Sequence, residues 1–179
     1  MEKLYEKLYP RNLNNMDIKI YAFCQKLGWV EPKNFIKDKK NYIYESFLPD
    51  LTNYLMLMTK QKSIRKKFIY ANLIFQCMDS LGIFNSEGQF GLDDKVNILN
   101  YVFIKSKPYN IYTNCEYMEL FIGNHSVGIE GQNLAQLKLI CEHVVNLSAS
   151  ELNVKETEFE ENCKKSRLSS VNFDLDMVI

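Results

Sequence analysis

Proline and glycine are scarce in this 179-residue chain, at four and seven residues, and 22 Lys and Arg balance 22 Asp and Glu to a formal net charge of zero. Few Pro and Gly, with 46% apolar and 13% aromatic residues, exclude a disordered or low-complexity chain and favour helix in a single core. A zero net charge removes the simplest argument for a nucleic-acid or anionic-membrane surface, although it leaves a local patch open. Histidine occurs only twice, and neither His125 nor His143 has a Cys or carboxylate at zinc-ligand spacing. The five cysteines, Cys24, Cys77, Cys115, Cys141 and Cys163, form no C-x-x-C pair and read as reduced thiols. No cofactor, metal or catalytic residue is expected. No basic segment followed by an apolar run opens the sequence, and no uninterrupted apolar run reaches bilayer length. The expectation is an intracellular protein, cytoplasmic or nuclear, with no membrane partner.

What is present is helical periodicity. Asn14 or Asn15 caps an apolar-periodic segment that runs to Leu27 and stops at Gly28. A core helix is expected from about Tyr42 to Met58, with Pro49 kinking it or opening its second part. The stretch Lys66 to Ser106 reads as a buried helical hairpin: an apolar helix, a Leu81-Gly82 stop, a loop with Gly88 and Gly91, and a second apolar helix opened by Asp93 and Asp94 at its positive dipole end. Ile20 to Trp29 and Leu73 to Ile83 echo one another, which the ordinary punctuation of helical hairpins also explains.

Beyond Pro108 the apolar pattern shortens. Glu116 to Ile122 and Ser126 to Glu130 flank Gly123-Asn124-His125, which predicts a β-hairpin over 116–130. Asn133 is expected to cap a further helix, and a more polar one follows through Asn162. The predicted architecture is therefore mainly α: one globular domain over 1–163, with a helical core at 16–107, the hairpin at 116–130, C-terminal helices at 133–162 and a flexible tail at 164–179.

Three features are candidates for recognition. Leu4, Tyr5, Leu8 and Tyr9 make a short amphipathic arm before Pro10, and Phe173, Leu175, Met177 and Ile179 alternate with acidic residues near the other end, as docking segments do. Lys60, Lys62, Arg65, Lys66 and Lys67 form the densest basic run, whose simplest reading is a solvated connection. The expected partner is another protein or a second copy of the chain. A nucleic-acid-associated factor is the alternative, since three helices followed by a two-stranded hairpin is the order of a winged helix, with Lys105 and Lys107 adding basic charge. Against that alternative, the helix Val96 to Lys105 lacks the outward polar residues that read a major groove.

Leu27-Gly28-Trp29 and Leu81-Gly82-Ile83, each closing a helix that precedes a buried Leu- and Tyr-rich one, give Met16 to Lys107 a pattern that resembles the divergent calponin-homology-like domains of kinetochore, ciliary-transport and centrosomal proteins. The resemblance implies a non-enzymatic subunit or adaptor that binds microtubules, tubulin or sister coiled-coil subunits.

Overall fold

In the computed structural model the described residues are 14–35, 41–84, 91–122 and 128–176. Among them are eight helices: α1 Asn15–Lys26, α2 Pro32–Phe35, α3 Asn41–Lys60, α4 Ile64–Phe84, α5 Leu92–Ser106, α6 Ile111–Ile122, α7 Ile129–Val144 and α8 Glu156–Asp176. Asn14 caps α1, its Oδ1 accepting from the Met16 N–H at 2.9 Å, and the helix ends before the Leu27-Gly28 turn. α3 runs through Pro49 to Lys60, and Asp93 and Asp94 lie in the first turn of α5.

α3 and α4 form the most extensive helix pair. The expected hairpin between α4 and α5 is not how these helices pack: α5 takes its neighbours from α1, α2, α3 and α7. The reason lies in the all-round burial of α5, where seven successive residues from Ile98 to Ile104 are buried. No single neighbour covers such a helix, so it becomes the centre of a bundle. The core joins Ile20, Cys24, Leu55, Ile74, Leu99, Phe103, Cys115, Leu137 and Val144 from six helices into one cluster.

The predicted β-hairpin is overturned. Glu116 to Ile122 belongs to α6, and Ile129 and Glu130 open α7. Seen over its full length, the segment buries Ile111, Cys115 and Met118 and half-buries Ile122, a helical spacing that the shorter window concealed. Its start is fixed from a distance: the Asp17 carboxylate on α1 accepts the Tyr112 N–H at 2.7 Å, the Thr113 N–H at 3.1 Å and the Thr113 hydroxyl. A cap supplied by a residue 95 positions away leaves no local signal. The winged-helix order fails with the hairpin. Asn133 is no cap either; it is buried inside α7 and donates to Asn72 Oδ1 at 2.8 Å, tying α7 to α4.

α8 continues to Asp176, over most of the residues expected to form a tail. Phe159 and Cys163 seat its first half against the body, Phe159 meeting the Trp29 ring edge-on with centroids 6.1 Å apart. Asn34 joins α2 to the turn before α8 by donating to the Leu152 carbonyl at 3.3 Å, while Asn153 donates back to the Asn34 carbonyl at 3.0 Å.

Candidate functional site

The helices α5 and α7 run in parallel: Asn100 Nδ2 meets His143 Nδ1 at 2.8 Å, and toward the N-termini Leu92, Lys95, Val96 and Leu99 face Gln136, Leu139 and Ile140 across a small crevice. Two details lock this register. Asn100 is fully buried, and the other nitrogen of His143 lies 3.3 Å from the Glu151 carboxylate, so the imidazole bridges α5 to the turn after α7. Burial pushes the Glu151 carboxyl up, but Ser148, whose N–H and hydroxyl both donate to it, and His143 together outweigh that and hold it below the usual carboxylate range.

The crevice is built from residues that ought to be inside. Leu92 is 57% exposed and Leu139 48%, one on each lip, and Ile129 at the start of α7 is 64% exposed. On a folded domain, adjoining large aliphatic side chains in water mark a surface that another molecule covers. Both helices direct their N-termini, and so their positive dipole ends, toward this end, α7 starting about two turns beyond the level of Leu92. Three carboxylates fall in these first turns, Asp93 and Asp94 on α5 and Glu130 on α7, and the two on α5 differ in their occupation. Asp94 accepts the Gly91 N–H at 2.8 Å and so starts the helix, whereas Asp93 is exposed and makes no hydrogen bond or ion pair among the described residues. A largely apolar platform, with the unpaired carboxylates of Asp93 and Glu130 at its helix starts, can bind a protein surface and present negative charge to it.

The basic run divides in two. Lys60, Lys62, Arg65 and Lys66 are exposed at the α3–α4 corner. Lys67 is not part of that surface. It is fully buried, and its ammonium donates to the Met58 carbonyl at 3.1 Å, the Thr59 carbonyl at 3.4 Å and Asn114 Oδ1, closing the C-terminus of α3 onto α6. The Tyr117 ring lies 6.0 Å away. Burial pushes its pKa down to about 8. Lys105, read as a phosphate flank, donates to the Gly28 carbonyl at 2.9 Å instead.

Leu4, Tyr5, Leu8, Tyr9, Met177 and Ile179 lie outside the described residues, while Phe173 and Leu175 fall in the last turns of α8. None of the residues marked from the sequence belongs to the α5–α7 face. Leu92, Asp93 and Leu139 were missed because each was absorbed into a helix pattern. The available signal was that Leu139 falls off the buried stripe Leu134, Leu137, Ile140, Cys141 and Val144. Among the described residues no group of three or more His, Cys, Asp or Glu side chains could hold a metal ion, and no helix is long and apolar enough to cross a membrane.

The family described as the vacuolar sorting protein 9 (VPS9) domain matches residues 48–149, just over half of the chain and the whole span from α4 to α7. None of the curated proteins compared with the chain matches it. The family match replaces the calponin-homology resemblance and, with it, the cytoskeletal setting: Leu27-Gly28 follows the end of α1, but α4 runs through Leu81-Gly82 to Phe84, so the paired stops behind the resemblance are not both helix ends. VPS9 domains are helical, bind Rab GTPases and act as guanine-nucleotide exchange factors for Rab5-like members, which is a catalytic activity. The expectation of a non-enzymatic protein is corrected accordingly. Its cause is physical, since nucleotide exchange breaks no covalent bond and needs none of the nucleophiles, acid-base pairs or metals by which enzymes are recognised in a sequence.

Proposed function

Because the chain belongs to the VPS9-domain family, we propose that it is a guanine-nucleotide exchange domain for a Rab5-like GTPase and that it engages the GTPase through the α5–α7 face. The observation that carries this reading is the pairing of exposed Leu92 and Leu139 across the crevice with the available carboxylate of Asp93 beside them. An exchange factor works by differential binding: it must hold the nucleotide-free GTPase more tightly than the loaded one. In P-loop GTPases the β-phosphate is held by a lysine and by Mg²⁺. A carboxylate delivered beside that lysine competes for the same positive charge and repels phosphate, so it stabilises the empty state and not the loaded one. Leu92 and Leu139 supply affinity for both states, and Asp93 supplies the difference between them. Inside the cell such an activity belongs to endosomal trafficking.

The test is release of a fluorescent guanine nucleotide from a Rab5-like GTPase. The wild-type chain should accelerate release, and Asp93→Ala should slow that acceleration on the order of tenfold or more, as for other single electrostatic groups in a catalytic site. Asp94→Ala is the matched control. Its carboxylate is already bonded to Gly91 N–H, so its loss should cost about 1 kcal/mol at the helix start and little exchange activity. A wild-type chain that leaves release unchanged, or an Asp93→Ala variant as fast as wild type, rejects the reading.

A further inference from the structure

The exposed part of the basic run stands apart from the proposed exchange site, in a stretch of sequence without acidic residues. From Leu51 to Met78 the sequence contains no Asp or Glu. Lys60, Lys62, Arg65 and Lys66 project from the α3–α4 corner, and Lys60, Arg65 and Lys66 make no hydrogen bond or ion pair among the described residues. The acidic side chains of the nearest elements make their described contacts elsewhere. On α6, Glu116 accepts from Asn14 Nδ2 at 2.8 Å and Glu119 pairs with Lys138 at 2.8 Å; Asp79, at the far end of α4, is paired with Lys95. A chain of zero net charge thus carries one corner of a single sign.

From these charges we infer that the α3–α4 corner docks the protein onto an anionic lipid surface. Two observations favour a membrane over a shaped acidic protein partner. Ile69 follows Arg65 by four positions and so shares its helix face, and it is 48% exposed. Basic charge with an apolar side chain one turn further along the same face is the combination that holds interfacial helices in the headgroup region. Position is the second. α4 is 21 residues long, about 30 Å, and the corner lies at its start while α5 with Asp93 follows its other end. A surface bound at the corner therefore leaves the α5–α7 face clear. The earlier expectation of no membrane partner rested on the whole-chain charge, which averages this asymmetry away.

Sedimentation of the full chain with vesicles tests the inference, independently of nucleotide exchange. Wild type should be retained on phosphatidylcholine vesicles containing phosphatidylserine, be released as salt rises, and not bind phosphatidylcholine alone. The combined variant K60Q/K62Q/R65Q/K66Q should lose about fivefold in binding per charge removed, with unchanged helical circular dichroism and unchanged exchange in solution. Ile69→Ser alone should weaken retention at high salt more than at low salt. Equal binding to neutral vesicles, undiminished binding by the combined variant, or displacement of wild type by short duplex DNA at matched charge concentration overturns the proposal. The last result would assign the corner to polyanions in general.

Discussion

Two regions of this molecule invert the usual sorting of side chains, in opposite directions. At the N-terminal end of α6 the inversion is inward: Asp17 and Lys67, both charged types, are buried and meet Thr113 and Asn114, consecutive residues of one helix. At the α5–α7 face it is outward, with Leu92, Ile129 and Leu139 in water. Burying a charged group costs several kcal/mol unless it is fully hydrogen-bonded; Asp17 accepts three hydrogen bonds and Lys67 makes at least three. Their chemistry is used up in fixing α6 against α1, α3 and α4. Exposed leucines have no such internal partner, so their chemistry is available to something else. Unusual placement by itself does not distinguish structure from function; whether the group is already satisfied does.

The most damaging change should be at the satisfied site. Asp17→Ala leaves Tyr112 N–H, Thr113 N–H and the Thr113 hydroxyl without their acceptor in a buried place, and should cost about 3–5 kcal/mol of stability. Thermal or urea unfolding measures it, and a loss below 1 kcal/mol would show that water or a backbone shift replaces the carboxylate. Leu139→Asp should do the reverse. At a half-exposed position it should alter stability by no more than about 0.5 kcal/mol, yet abolish measurable stimulation of nucleotide release, since a charge placed at the centre of an apolar contact costs about 2 kcal/mol or more of binding. If both variants lose stability equally, the contrast between the two regions fails.

The helical class, the Asn14 cap and the start of α5 at Asp93 and Asp94 were legible in the sequence because each depends on neighbours within a turn or so. What was not legible depends on distance. The Asp17 cap of α6 and the closure of α3 by Lys67 are made by residues whose partners only the fold identifies, and without the cap α6 looked like a strand. Lys67 was indistinguishable from Lys66, although one is fully buried and the other exposed, because a single helical step of about 100° separates core from solvent. The candidate site was hidden for a different reason. Leucine in a helix is read as core, and only the packing of α5 against α7 shows which leucines remain outside.

Lys67 offers the finest test of the same contrast, because its cost depends on pH. Its ammonium has a pKa near 8 in the folded protein, lowered by burial, against an ordinary lysine value of 10.5. At pH 7 both folded and unfolded chains carry the proton, and the desolvation cost is present in full. As pH rises through 8 the folded chain releases the proton while the unfolded chain keeps it, so the unfolded state binds more protons and stability rises. Between pH 7 and 9 the gain is about 1 kcal/mol. Above pH 9 the trend reverses. Burial pushes the Cys24 thiol up to about 12 and the Cys77 thiol up to about 11, so the unfolded chain ionises thiols that the folded chain cannot. Urea midpoints should therefore peak near pH 9 in the wild type. Lys67→Met removes the rising limb and leaves the decline, and the difference between the two proteins isolates this one group from every other titration. Parallel pH profiles for wild type and Lys67→Met would mean that the buried ammonium keeps its ordinary affinity for the proton, its three hydrogen bonds offsetting the desolvation in full.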